Sequence, residues 1–357
     1  MYFYRKDMVI LVYVDDCIIF AKKKSQIDDF LESLKNGPEK FDFTDEGSIS
    51  NYLGVEILKR EDGIELHQPH LIDRIIQSVN FDQYVNGKST PVIKPNLTKD
   101  SLGNARKDDW HYRSAIGMLT YLEKSTRPDI SMAVHACARF CNDPKLSHER
   151  AVKRIVKYLV TTRERGIVFT PDKSKGLECY VDADFAGGWN NQQSDDPANL
   201  LSRTGFVIYY YGCPIYWQSK LQTEIALSTT EAEYIALLMA MKQIIPMTYL
   251  LKELDKVMGI GFVKPSMKSK LFEKEFKNIP EAVVHKDNRS CIAVAKCPKM
   301  TPRTKHIALK YHHFRSHVEK KLIAILPIST EDQIADMLTK PLNESMFNKN
   351  RKILCRY

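Results

Sequence analysis

Long apolar runs are missing from this sequence. A run such as Met8 to Val14 falls far short of the roughly 20 residues a helical membrane span needs, and the region after Met1 lacks the pattern of a cleavable secretory signal. No membrane partner and no export are therefore expected, and the sequence reads as that of an intracellular protein. Cysteine is sparse too: eight residues are scattered through 357 with no CxxC pair, which speaks against a disulfide framework and for reduced thiols. His135, Cys137 and Cys141 lie close together, but within the apolar helical run Ile130 to Phe140, where small buried cysteines are expected more than a zinc site. Acidic residues are outnumbered, 44 against 53 Lys and Arg, for a net charge of +9. That excess favours a polyanionic partner without identifying it, since solubilising charge reads the same way.

With 43% hydrophobic residues the chain can bury a sizeable core, and its length suits two or three domains. Met8 to Val14 and Cys17 to Ala21 read as a hairpin with Asp15 and Asp16 at its tip. Ser25 to Leu34 has helical spacing, and strands are expected at Tyr52 to Leu58 and Ile64 to His67. From Pro69 the pattern turns helical, over Leu71 to Val79, Trp110 to Leu122, Asp129 to Phe140 and Ser147 to Leu159. The Lys153, Arg154, Lys157 face of the last is either a phosphate contact or a solvated face.

A second organisation begins near Leu177. Strands are expected at Leu177 to Phe185, Gly205 to Tyr211 and Pro214 to Gln218. A long helix follows, opened by a Ser228/Glu231 capping box and interrupted by Pro246, which should kink it. Beyond lie strands at Glu281 to Lys286 and Leu322 to Pro327, with helices around Ser290 to Lys296, Ile307 to Glu319 and Asp332 to Leu338. This order suits a mixed α/β sheet domain.

Two constellations carry chemistry. Adjacent Asp15 and Asp16 on a tight turn repel unless a cation lies between them, and hard oxygen ligands favour Mg²⁺; an acidic turn without a duty is the plainer reading. In Tyr180-Val181-Asp182-Ala183-Asp184, strand alternation puts Asp182 and Asp184 on one face. Glu231 and Glu233 open the long helix, Asp287 ends a strand, and Asp336 lies in a later helical segment. Carboxylates on such separate elements can converge on two divalent ions.

The run Leu11 to Phe20, containing Tyr13-Val14-Asp15-Asp16, resembles the palm hairpin of reverse transcriptases. Tyr52-Leu53-Gly54-Val55-Glu56, Tyr112 to Gly117, Thr126-Arg127-Pro128-Asp129-Ile130, His148 and Tyr158-Leu159 resemble copia-type retrotransposon proteins specifically. Likewise, Tyr180 to Ala186, Ser228 to Leu237, Asp287-Asn288 and Ala335-Asp336 are similar to the Asp, Glu, Asp, Asp motifs of copia ribonuclease H. The resemblance implies an α/β fold in three parts: a partial reverse transcriptase palm at 1–65, an α-helical thumb or connection at 66–172, and a ribonuclease H-like mixed sheet with flanking helices at 176–342. A tail at 343–357 follows.

It also implies the site. Asp182, Glu233, Asp287 and Asp336 would be catalytic and hold two Mg²⁺ ions, with Mn²⁺ a substitute. Glu231 is kept for the helix cap, and Asp184 is left outside the primary set. Hydrolysis would cut the RNA strand of an RNA:DNA hybrid without a covalent enzyme intermediate, one ion activating water and the other neutralising the leaving 3′ oxygen. Strand discrimination would rest on ribose 2′-hydroxyls and hybrid groove shape. His306 and His312 match family positions and are candidates for an accessory role, a structural histidine being the commoner case. Arg303, Lys305, Lys310 and Arg315 are candidate nucleic-acid contacts. Tyr209 to Tyr211 and Trp217 could stack on bases or fill a core.

The polymerase site of such proteins takes a further aspartate from an upstream strand, and only Asp7 precedes Tyr13 here. Asp15 and Asp16 are thus expected to be a partial polymerase site, in a chain reading as an N-terminally truncated fragment that does not polymerise DNA alone. Departures also occur at a long Asn190 to Leu201 loop and at Pro246. Implied partners are RNA:DNA hybrid, DNA and the integrase, protease and capsid modules of a parent element; the implied location is the cytoplasm, in a virus-like particle, or the nucleus. Two rivals stay open: an inactive remnant that binds nucleic acid without cutting it, and a segment of a full RNA-directed DNA polymerase.

Overall fold

The computed structural model describes residues 2–5, 7–81, 86–92, 97–189, 197–265, 278–297 and 314–357. The architecture is mixed α/β with three sheets among these residues. The first is an antiparallel meander of β1 (Tyr2–Arg5), β2 (Met8–Tyr13) and β3 (Asp16–Ala21), in which Tyr13 pairs with Asp16 across the tip. Val14 takes a left-handed φ of 54° there, which closes the turn. Helix α1 (Lys24–Asn36) follows.

The second sheet joins β4 (Asn51–Tyr52), β5 (Val55–Arg60), β6 (Gly63–His67) and β7 (Ile167–Phe169). Left-handed Leu53 and Gly54 split the single strand expected at Tyr52 to Leu58 into two. Strand β7 was not expected, because three residues give no usable periodicity; it pairs with β6 after a long helical excursion. Residue 65, the expected end of the palm, lies inside β6.

The excursion is α2 (Pro69–Ser78), α3 (Tyr112–Ser125), α4 (Ser131–Ala138) and α5 (Leu146–Thr161). Their apolar faces meet around Ile75, Leu119, Val134 and Ile155, each essentially inaccessible. Deep in this region Arg127 binds Asp129 through both Nε (3.0 Å) and Nη2 (2.9 Å) and donates to the Thr162 carbonyl. Asp129 also accepts from Tyr158 (2.5 Å) and Tyr357 (3.0 Å). A buried ion pair holds only when its remaining hydrogen-bonding capacity is met, as here. Lys153 and Arg154 of α5 are also engaged within the fold, with Asp108 and Glu149 and with the Thr90 hydroxyl.

The third sheet has the order β10-β9-β8-β11-β12, formed by β8 (Leu177–Asp184), β9 (Arg203–Tyr210), β10 (Cys213–Leu221), β11 (Ala282–Lys286) and β12 (Ile323–Pro327). The first three run antiparallel, while β11 and β12 join parallel beside β8. Helix α6 (Thr229–Met258) covers one face; it is long and apolar enough to cross a membrane, yet half of its most apolar window is buried against this sheet. The helix continues through Pro246 to a left-handed cap at Gly259. Short helices α7 (Arg289–Lys296), α8 (Arg315–Glu319) and α9 (Asp336–Thr339) complete the surround.

The opposite face, with Val207, Tyr209 and Trp217, packs into the same apolar core as α2 to α5. The Trp217 indole donates to the Glu123 carbonyl (2.8 Å). Residues 343–357, expected only as a tail, contain α10 (Glu344–Cys355), whose Phe347 and Leu354 enter that core. Asn343 caps it, its Oδ1 accepting from Met346 N (2.9 Å).

Candidate metal centre

The pleat of β8 decides which of its side chains can serve a site. Cys179, Val181 and Ala183 point into the core beneath α6, so Asp182 must emerge on the other face, where it is nonetheless 3% exposed. What covers it is α9. Asp182 pairs in register with Gly205 of β9, and a Cβ at Gly205 would stand 2.6 Å from Thr339 Cγ2 and 2.8 Å from Leu338 Cβ. Glycine is thus what lets α9 lie directly on the sheet. That approach brings the Thr339 hydroxyl to Asp182 Oδ2 (2.5 Å) and sets Asp336, at the start of the same helix, beside it.

Asp287 arrives from a third direction, one residue past the end of β11, which is parallel to β8 and therefore ends on the same edge of the sheet. Asp182, Asp287 and Asp336 each bring a carboxylate oxygen within 4.8 Å of the other two, and they form the one such group of three among the described residues. Asp287 Oδ1 and Asp336 Oδ1 are buried with no hydrogen-bond partner. Orphaned, like-charged oxygens in a low-dielectric setting are costly unless a cation or proton joins them. Burial, with the charge of Asp182, pushes the Asp336 carboxyl up to about 7 against the pull of Lys340, whose Nζ lies 2.9 Å away. An oxygen-only donor set suits a hard divalent ion such as Mg²⁺, so the residues fit the metal that the sequence implied.

Glu233 lies outside that 4.8 Å group. From the first turns of α6 its carboxylate meets the ammonium of Lys286, a fully buried side chain at the end of β11 that also donates to the Val181 carbonyl (3.0 Å). Burial pushes Glu233 up to about 8, with Lys286 pulling down and Asp182 adding to the rise. For Lys286 burial works against the charge, but Glu233 and Asp182 outweigh it and keep the ammonium protonated. Glu231 does cap the helix. Its backbone N–H donates to Ser228 Oγ (3.1 Å), while its carboxylate accepts from Leu227 N (2.7 Å), one residue earlier than a reciprocal box would have it.

Asp184 is half-buried at the end of β8, on the same face as Asp182 but outside the triad. Asp15 and Asp16 are exposed at the hairpin tip, with no third carboxylate gathered to them among the described residues. His306, His312, Arg303, Lys305 and Lys310 lie outside the described residues, as does most of the Asn190 to Leu201 loop. Arg315 is half-buried, its guanidinium directed to the Tyr234 hydroxyl (3.3 Å) and the Val294 carbonyl (3.0 Å). Tyr209 and Tyr210 are core residues. Three residues at the centre were given no role from sequence: Lys286, Thr339 and Lys340. A signal existed for Lys286, which alternation places on the same face of β11 as Ala282 and Val284.

Known proteins share this chain's features. The family described as reverse transcriptase (RNA-dependent DNA polymerase) matches residues 1–94. The retrovirus-related Pol polyprotein from transposon RE1 of Arabidopsis thaliana is 32% identical over 95% of the chain, and that from transposon TNT 1-94 of Nicotiana tabacum is 34% identical over 97%. The chain belongs to the copia-type retrotransposon Pol family. It spans 21% and 24% of the length of those two relatives, and 22% of the Pol polyprotein from transposon RE2 of Arabidopsis thaliana. The copia-type resemblance read from the sequence therefore holds over nearly the whole chain.

Proposed function

We propose that this copia-type chain hydrolyses the RNA strand of RNA:DNA hybrid, using divalent ions held by Asp182, Asp287 and Asp336 with Glu233 nearby. The observation that carries the reading is the convergence of three aspartates from β8, the end of β11 and α9, two with orphaned buried oxygens. When bound, Mg²⁺ would supply Lewis-acid activation of water and stabilisation of the leaving 3′ oxygen. The protein's own contribution is placement. The Thr339 hydroxyl fixes the rotamer of Asp182, the Gly205 contact fixes α9, and Thr330 reaches Asp287 Oδ2 at 3.4 Å. Asp336 can hold a proton near neutrality and release it when a cation arrives.

The catalytic proposal rests in the C-terminal half, in a ribonuclease H-like unit that follows a palm portion and a helical connection. Asp15 and Asp16, at the exposed hairpin of the segment matched to reverse transcriptases, would serve polymerisation only with further ligands. Substrate recognition would fall to 2′-hydroxyl contacts and groove shape, and integrase, protease and capsid modules would be partners in a complete element. Cleavage of an end-labelled RNA:DNA hybrid with Mg²⁺ tests the reading: the full chain should cut the RNA strand, and Asp182→Asn should not. Equal, null activity in both, with both folded, would favour an inactive remnant.

A further inference from the structure

The buried Lys286 ammonium stands where a two-ion centre would want none. With every carboxylate ionised, as a bound cation would hold them, Asp182, Glu233, Asp287 and Asp336 bring four negative charges, while Lys286 and Lys340, bonded to Glu233 and Asp336, return two positive ones. The remainder matches the charge of a single divalent ion, with Asp184 further out, facing Lys340. The two lysines differ in freedom. The Lys340 side chain is 36% exposed and can swing into solvent when an ion takes Asp336. That of Lys286 is 0% exposed, tied to the Val181 carbonyl of the neighbouring strand and 3.6 Å from Asp287 Oδ1.

We propose that Lys286 is a fixed counter-cation that occupies Glu233, so that the aspartate triad takes one divalent ion readily and a second only against the ammonium. The inference rests on the metal-centre reading above and deepens it. Geometry divides the four carboxylates. The three aspartates lie within 4.8 Å of one another, Asp336 Oδ1 unsatisfied and Asp287 Oδ1 without a hydrogen bond though 3.6 Å from Lys286 Nζ, whereas Glu233 is bonded to Lys286 directly. A second ion bridging toward Glu233 would lie beside a like charge that has no route to water short of leaving the core. Lys286 is thus a positioning residue: it acts on ion occupancy through Glu233.

Calorimetric titration of Mn²⁺ into the full chain, with Mn²⁺ electron paramagnetic resonance as a second count, tests this without measuring cleavage. The wild type should take one ion, with a second roughly 10- to 100-fold weaker, the range by which neighbours of metal ligands alter affinity. Lys286→Met should tighten the second ion by a similar factor and bring the stoichiometry to two. Because that variant leaves Glu233 buried without its partner, Lys286→Met/Glu233→Gln provides a charge-matched control. It should fold, keep the first ion and lose the second. Two ions of like affinity in the wild type, unchanged by Lys286→Met, would overturn the counter-cation role while leaving the metal centre standing. A second ion retained by the double variant would also overturn it. No ion taken up by the wild type would sink the metal-centre reading itself, and this inference with it.

Discussion

Replacing Asp336 with asparagine should stabilise the metal-free protein while disabling its centre, and the size of the gain follows from the charge it removes. Asp336 Oδ1 is buried without a hydrogen bond, next to Asp182, and its carboxyl is pushed up from 3.8 to about 7. Each tenfold change in proton affinity is worth about 1.4 kcal/mol, so holding the side chain ionised at pH 8 without a cation costs on the order of 4 kcal/mol. The sign follows from linkage. The folded state holds this proton more tightly than the unfolded chain, so stability falls as pH rises through the ordinary carboxylate range, and the loss is complete above about pH 7. In Asp336→Asn an uncharged amide of the same size can donate to Asp182. Urea unfolding in EDTA at pH 8 should therefore show the variant about 2–4 kcal/mol more stable than wild type, with the gain shrinking by more than half at pH 5. Saturating Mg²⁺ should stabilise the wild type and leave the variant unmoved. A variant no more stable than wild type in EDTA at pH 8, or a gain indifferent to pH, would refute the account of these carboxylates.

Arg127→Met strands Asp129 as an unpaired buried charge and should cost about 3–5 kcal/mol in urea unfolding, part of it restored by adding Asp129→Leu; a loss under about 1 kcal/mol would contradict the pairing. Gly205→Ala drives a methyl into Thr339 and Leu338 and should cost about 1–3 kcal/mol, with weakened Mn²⁺ uptake by calorimetry as α9 lifts from Asp182. The two helix glutamates should separate cleanly. Glu231→Ala should lose about 1 kcal/mol of stability with hybrid cleavage retained, since it removes a helix cap and leaves the aspartate triad in place. Glu233→Gln should keep the cap and slow cleavage by roughly 10- to 100-fold or more.

Much of the local structure was legible in the residues because it depends on near neighbours. Alternation in Tyr180 to Asp184 marked β8, Ser228 marked the start of α6, and the Asp15–Asp16 tip marked the β2–β3 turn. Strand β7 escaped because three residues carry no period, and α10 because a lone Asn343 cap ahead of a polar, lysine-rich segment is a weak local signal. Thr126 to Ile130 stood out only through resemblance. The fold gives it a physical role: an Arg127–Asp129 pair that binds α5 and the C-terminal Tyr357 into one buried network.

The sequence by itself determined most of the elements and the excess of basic charge, since composition and short-range period are properties of the chain alone, while the copia-type kinship and the four acidic candidates came through the resemblance of its motifs. Only the tertiary structure decided that three of them meet within 4.8 Å while the fourth is engaged by Lys286. Those distances are set by how closely elements far apart in sequence can pack. The missing Cβ of Gly205 admits α9, and the place of β11 beside β8 buries a lysine that any local reading would leave in water.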